Sequence, residues 1–145
     1  MPFKPCLLIP FYNHQTLIDQ TLQGLADSGL PCLLINDGSD AECLPVLAEM
    51  AHKYPWLEVL HLAENQGKGG AVMHGFAIAE RRGFSHALQI DADNQHNAED
   101  LPKLLDAARQ HSNALITGQP VYDQSVPKHV FTIFRMRVRN YSSYE

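Results

Sequence analysis

Ala87-Leu88-Gln89-Ile90-Asp91-Ala92-Asp93-Asn94-Gln95-His96 joins a short apolar run to two carboxylates one residue apart. Ala87, Leu88 and Ile90 have the character of a buried strand. Side chains alternate along an extended segment, so Asp91 and Asp93 point to the same side, joined by Gln95 if the extension persists. Two like charges so placed repel unless positive charge sits between them. Two carboxylates and an amide oxygen form a hard-oxygen set suited to Mg2+ or Mn2+, and Mg2+ commonly takes one or two carboxylates together with substrate phosphates. The alternative is a cap, with Asp93 or Asn97 opening the helix that follows.

Upstream, short apolar runs alternate with amphipathic segments. Cys6-Leu7-Leu8-Ile9 shows no alternation, the pattern of a strand covered on both faces, and Pro10 is expected to stop it. Phe11 to His14 then turns into a helix from about Gln15 to Ser28, with Leu17, Ile18, Leu22, Leu25 and Ala26 on one stripe and Gly29 as its stop. Cys32 to Asn36 reads as the second strand, running into the turn-and-cap cluster Asp37-Gly38-Ser39-Asp40. A helix over Glu42 to Tyr54 places Leu44, Leu47, Ala48 and Ala51 inward, with Pro45 in its first turns and Pro55 ending it. Leu57 to Leu62 is the third strand. The run Ala63 to Gly70 leads into a helix over Gly70 to Arg82, with Met73, Phe76 and Ala77 inward and Gly83 as cap. After the Asp91 strand come a helix over Ala98 to His111 and a fifth strand over Ala114 to Thr117. This alternation predicts an α/β fold, a mostly parallel sheet with helices on both faces. Beyond Gly118 the pattern fails, and Val130 to Tyr144 is aromatic and basic.

Composition bounds the function. The 145 residues suffice for one domain or part of one, and a net charge of −5 argues against non-specific nucleic-acid binding. Cys6, Cys32 and Cys43 form no C-x-x-C, so neither a disulfide framework nor a zinc site is expected, in keeping with a cytoplasmic setting. Met1 to Pro10 does not read as a signal peptide, and no apolar run approaches the ~20 residues of a membrane span.

In an open α/β sheet, ligands bind beyond the carboxyl ends of the strands. Tyr12-Asn13, Asp37-Gly38-Ser39, Asn65 to Lys68 and Asp91 to Gln95 all fall there. Each alone is ordinary turn chemistry; together they suggest one pocket. Gly67, Gly69 and Gly70 fit neither a Walker A loop nor a dinucleotide fingerprint. They suit a close backbone approach to a nucleotide, with Lys68 offering a cation to phosphate.

Leu8-Ile9-Pro10-Phe11-Tyr12-Asn13, Ile35-Asn36-Asp37-Gly38-Ser39, Asn65-Gln66-Gly67-Lys68-Gly69 and Asp91-Ala92-Asp93-Asn94-Gln95-His96 resemble, in order and spacing, the signatures of family 2 glycosyltransferases. The likeness is strongest to the branch containing dolichol-phosphate mannosyltransferases and covers about Pro5 to Gly118. It implies the nucleotide-sugar-binding part of a Rossmann-like GT-A fold over residues 1–118, with 119–145 beginning an acceptor-side region truncated at the C-terminus. It implies that Pro10, Tyr12 and Asp37 hold the donor's base and ribose, Asp37 by accepting from the base, with Asn13 also donor-binding. Asn65, Gly67 and Lys68 would line the same pocket. Asp91, Asp93 and Gln95 would hold Mg2+ or Mn2+ on the diphosphate. Asn36 stands where an acidic residue is common, and His14 where Glu is common. The implied reaction is inverting hexosyl transfer to a lipid-phosphate or saccharide acceptor in cell-envelope glycan synthesis, with peripheral contact at the inner membrane face. The general base belongs downstream of the fifth strand, and neither Asp123 nor Glu145 is assigned that role.

Other readings differ in class. A binding module would keep the pocket without turnover. A haloacid-dehalogenase-type phosphatase places D-x-D on its first strand with Thr or Val two residues later; here the strand is the fourth and the residue is Gln95. His96 beside the acids suits a helix start better than a ligand. Trp56 suits packing behind Pro55. Arg135, Arg137 and Arg139 offer a face to lipid or acceptor phosphate, or a solvated tail.

Overall fold

Cys32–Asn36 is a strand over its whole expected length, because every one of its side chains is covered. The structure, a computed structural model, describes residues 2–92, 98–111, 116–117 and 132–135. In chain order these form β1 (Pro5–Phe11), α1 (Ile18–Leu25), β2 (Cys32–Asn36), α2 (Cys43–Lys53), β3 (Leu57–His61), α3 (Gly67–Arg81), β4 (His86–Gln89), α4 (Leu101–Gln110), β5 (Ile116–Thr117) and β6 (Thr132–Arg135). Single 3-10 turns at Ala26–Ser28 and Ala98–Asp100 follow α1 and precede α4.

The sheet runs β3-β2-β1-β4-β6-β5. β1 to β4 are mutually parallel, as expected. The fifth strand does not lie beside the fourth: β6 sits between them, antiparallel to both. Thr132–Arg135 thus corrects the view of Val130 to Tyr144 as outside the strand pattern. The chain adds β2 and then β3 on one side of β1 and afterwards β4 on the other. The switch point, where such sheets open a crevice, is therefore between β1 and β4.

Pro10 sharpens that crevice and corrects an expectation. β1 does not stop there but continues to Phe11. Leu7 N–H donates to Pro31 O and Asp37 N–H to Phe11 O, each at 2.8 Å, so these residues of β1 bond toward β2. Leu8 O instead accepts Ile90 N–H at 2.9 Å, toward β4. By alternation Pro10 faces β4, and its missing N–H can end only that ladder. Pairing with β4 indeed ends at Leu8↔Gln89, while Pro10↔Ile35 and Phe11↔Asn36 continue along β2.

Two apolar layers flank the sheet. On one face Ile18, Leu22 and Leu25 of α1, Leu47 and Met50 of α2 and Leu101 and Ala108 of α4 pack on Leu7, Ile9, Leu34, Leu88 and Ile90. Trp56 packs against this layer, its ring 5.2 Å from that of Tyr54. On the other face Ala71, Val72 and Ala79 of α3 cover Cys6, Leu8, Leu33, Ile35 and Ala87. The expected inward stripe of α3 is corrected: Met73 and Ala77 are exposed, Phe76 is half-buried, and Gly75 is buried instead. A Cβ at Gly75 would lie 2.3 Å from Leu8 Cδ1, so α3 sits too close to β1 for large side chains. α3 also starts at Gly67 rather than Gly70. Leu44 and Ala48 of α2 and Ala26 after α1 likewise face out, while Cys43, Met50 and Thr21 are buried.

All three cysteines are buried free thiols. Burial pushes the Cys6 thiol up to about 12. Burial raises Cys32 as well, with Cys6 beside it adding to the shift, and burial also raises Cys43. The nucleophile is the thiolate, so iodoacetamide at pH 8 is expected to leave the folded chain unlabelled. The same reagent in urea should add three labels, read by intact mass; labelling of Cys6 or Cys32 in the native chain would contradict this packing.

Candidate functional site

The carboxyl ends of β1 to β3 are laced together before any ligand is considered. Asn13, in a left-handed conformation (φ 54), ties the β1 loop to the β2 loop. Its N–H donates to Ser39 Oγ (3.1 Å), and its Oδ1 accepts Asp40 N–H (2.9 Å). The β2 loop is tied in turn to the β3 loop through Asp37, which is 2% exposed. Gln66 N–H donates to Asp37 Oδ1 at 2.7 Å, and Asn65 Nδ2 donates to Asp37 O (2.9 Å) and to Oδ2 (3.3 Å). These are neutral donors to a carboxylate with several lone-pair positions, so acceptor capacity remains.

Asn36, also buried, explains why an amide serves where an acid is common. Its Nδ2 donates to His61 Nδ1 (2.9 Å) and its Oδ1 accepts Ser39 N–H (3.3 Å).

β4 delivers Asp91 at the switch point. Its carboxylate, with 18% of the side chain exposed, lies 2.5 Å from Lys68 Nζ in the first turn of α3. The resulting cleft of about 360 Å³ is lined by Pro10, Phe11, Tyr12, His14, Asp37, Asn65, Gly67, Lys68, Asp91 and Ala92. Of the residues singled out from sequence, Pro10, Tyr12, Asp37, Asn65, Gly67, Lys68 and Asp91 therefore share one cavity. Tyr12 presents its ring there at 48% exposure. Asn13 does not line the cleft, because its side chain is engaged by the β2 loop. Asp93, Gln95 and His96 lie outside the described residues.

Among the described residues no three His, Cys, Asp or Glu side chains are grouped to hold a metal ion. Asp91 alone represents the expected ligand set. It suits a hard divalent cation: a carboxylate at the cleft, already paired with a cation.

One participant escaped the sequence reading. Thr21, on the apolar stripe of α1 and fully buried, donates through Oγ1 to Ala92 O at 3.0 Å. A threonine between Ile18 and Leu25 was the available signal, a hydroxyl where the helix period calls for an apolar side chain.

Fold and cleft define an α/β protein with an open cleft at the carboxyl edge of its parallel strands, where the strand order reverses. The chain belongs to glycosyl transferase family 2, whose sequence model matches residues 6–143. An undecaprenyl-phosphate mannosyltransferase of Micrococcus luteus is 34% identical over 105 residues, covering 70% of this chain and 43% of that protein. A dolichol-phosphate mannosyltransferase of Pyrococcus furiosus is 31% identical over 125 residues, 81% of this chain and 34% of its own length. The chain thus spans well under half of these relatives. The fold is shared with a mannosyltransferase from Pyrobaculum calidifontis solved in complex with GDP-Man and Mn2+, at a TM-score of 0.67, 16% identity, and coverage of 91% of this chain and 44% of that one.

Proposed function

We propose that the chain carries the donor site of a divalent-metal-dependent glycosyltransferase that uses a nucleotide-diphosphate sugar and inverts the anomeric centre. The observation supporting this reading is the single cleft that gathers Tyr12, Asp37, Asn65, Lys68 and Asp91 from separate loop ends. Tyr12 and Pro10 flank the base and ribose, and Asp37 accepts from the base with the lone pairs its loop partners leave. Lys68 meets the diphosphate from the first turn of α3, where free helical N–H groups also favour an anion. Asp91, with Asp93 and Gln95, holds Mg2+ or Mn2+. Bound there, such an ion would supply Lewis-acid neutralisation of the diphosphate leaving group. The donor part takes residues 1–118 together with β6, which lies between β4 and β5 in the same sheet, and the acceptor side takes the rest of 119–145.

The acceptor is a lipid phosphate or a saccharide. An ionised phosphate needs no general base, whereas a hydroxyl does. The relatives named for undecaprenyl-phosphate and dolichol-phosphate favour the lipid, and with it a cytoplasmic site at the membrane surface. Among the described residues no helix is long and apolar enough to cross a membrane.

Calorimetric titration with GDP, UDP and TDP, with and without Mn2+, tests the donor site. One nucleotide is expected to bind at least about tenfold more tightly with the metal. No saturable binding of any of the three would defeat the reading. Consumption of the matching nucleotide sugar distinguishes a transferase from a binding module, which would bind without turnover.

A further inference from the structure

We infer that Thr21 is a positioning residue for Asp91, and that its hydroxyl sets the metal dependence of donor binding. This rests on the proposed donor site. Asp91 is held from both sides: upstream, Ile90 N–H donates to Leu8 O of β1 at 2.9 Å; downstream, Ala92 O accepts Thr21 Oγ1 at 3.0 Å. The first contact belongs to the sheet. The second reaches across 71 residues of sequence from a helix that contributes nothing else to the cleft lining.

The hydroxyl has one proton and two acceptors within reach. Leu17 O lies at 3.2 Å, but it already accepts Thr21 N–H at 3.1 Å within the helix. Ala92 O is nearer and belongs to a residue only 2% exposed, where an unmet carbonyl is costly. This contact anchors the residue that follows Asp91, so the backbone on both sides of that carboxylate is held. Among the described residues nothing comparable ties Thr21 to the loops of β2 and β3, whose lacing runs through Asn13, Asp37 and Asn65. Metal-dependent and metal-free binding therefore separate at this residue.

The test uses Thr21→Val, which keeps the shape and removes the hydroxyl, and Thr21→Ser, which keeps the hydroxyl. Two measurements are made on the full chain: GDP and UDP affinity with and without Mn2+, and amide hydrogen exchange over residues 90–96. Thr21→Val is expected to weaken Mn2+-dependent affinity about tenfold, change metal-free affinity less than about twofold, and speed exchange in that segment. Thr21→Ser restores both. Equal losses with and without metal, wild-type values in Thr21→Val, or a Ser variant no better than Val would overturn the inference. If the wild-type chain binds no nucleotide, the donor-site reading falls by itself. Exchange then still decides whether Thr21 holds the segment, and unchanged exchange would sink that claim too.

Discussion

Asp91→Asn is expected to lower Mn2+-dependent affinity for the matching nucleoside diphosphate about 100-fold while leaving the fold intact. The substitution keeps size and shape and removes only the charge. A contact to a charged group contributes about 1.5–3 kcal/mol, which corresponds to one to two orders of magnitude in affinity. Stability should scarcely change. Lys68, the ion-pair partner, is 57% exposed, and such pairs contribute no more than about 1 kcal/mol. For a chain of this size that is a melting shift within about 4 °C. Metal-free affinity supplies a check on sign. With the carboxylate gone, Lys68 loses the acid paired with it and a diphosphate meets less repulsion, so binding without metal is expected to hold or rise. Equal Mn2+ dependence in variant and wild type would remove Asp91 from the metal site. A collapse of metal-free binding would mean instead that the Asp91–Lys68 pair shapes the cleft.

The convergence of loop ends was legible in the sequence because it follows from topology alone: parallel strands put every carboxyl end on one edge, whatever the side chains do. β2 was legible for a similar local reason, being apolar on both faces and bounded by Pro31 and Asp37-Gly38. The misreadings share a cause, which is that they depend on which neighbour a residue meets. Pro10 removes a donor from one ladder of β1 and not the other, and a one-dimensional pattern does not say which side faces β2. The inward stripe of α3 was assigned to large apolar residues, whereas its close approach to β1 admits only Ala71, Val72, Gly75 and Ala79. β6 is four residues long and antiparallel, with no periodic cue to its partner β4. Thr21 looked like one polar residue on an apolar stripe, and only the fold brings Ala92 to it.

Gly38→Ala should be the most damaging single methyl added to the loop lacing. Gly38 adopts φ +68, and a Cβ there would lie 2.4 Å from Asn65 N and 2.8 Å from Glu64 C, both backbone atoms. The left-handed conformation costs about 1–2 kcal/mol for a non-glycine residue. Overpacking against main chain adds about 1–3 kcal/mol. The expected loss is therefore ~2–5 kcal/mol, or a melting temperature lower by about 5–15 °C. Gly29→Ala is the internal control. Gly29 has nearly the same φ, +69, but nothing within 4 Å of its added methyl, so it incurs the conformational cost alone. Urea denaturation of both variants isolates the contact between the β2 and β3 loops as their difference, and equal losses would show that the contact is not felt. The functional consequence follows from where relief must come. The β3 loop can retreat only by lengthening the Gln66 N–H bond to Asp37 Oδ1, now 2.7 Å, and the Asn65 bonds beside it. Gly38→Ala should accordingly weaken nucleotide binding by similar factors with and without Mn2+. On the proposed donor site Asp91→Asn acts on the metal-dependent part, so the pair of variants is expected to separate a base-holding half built on Asp37 from a diphosphate-holding half built on Asp91.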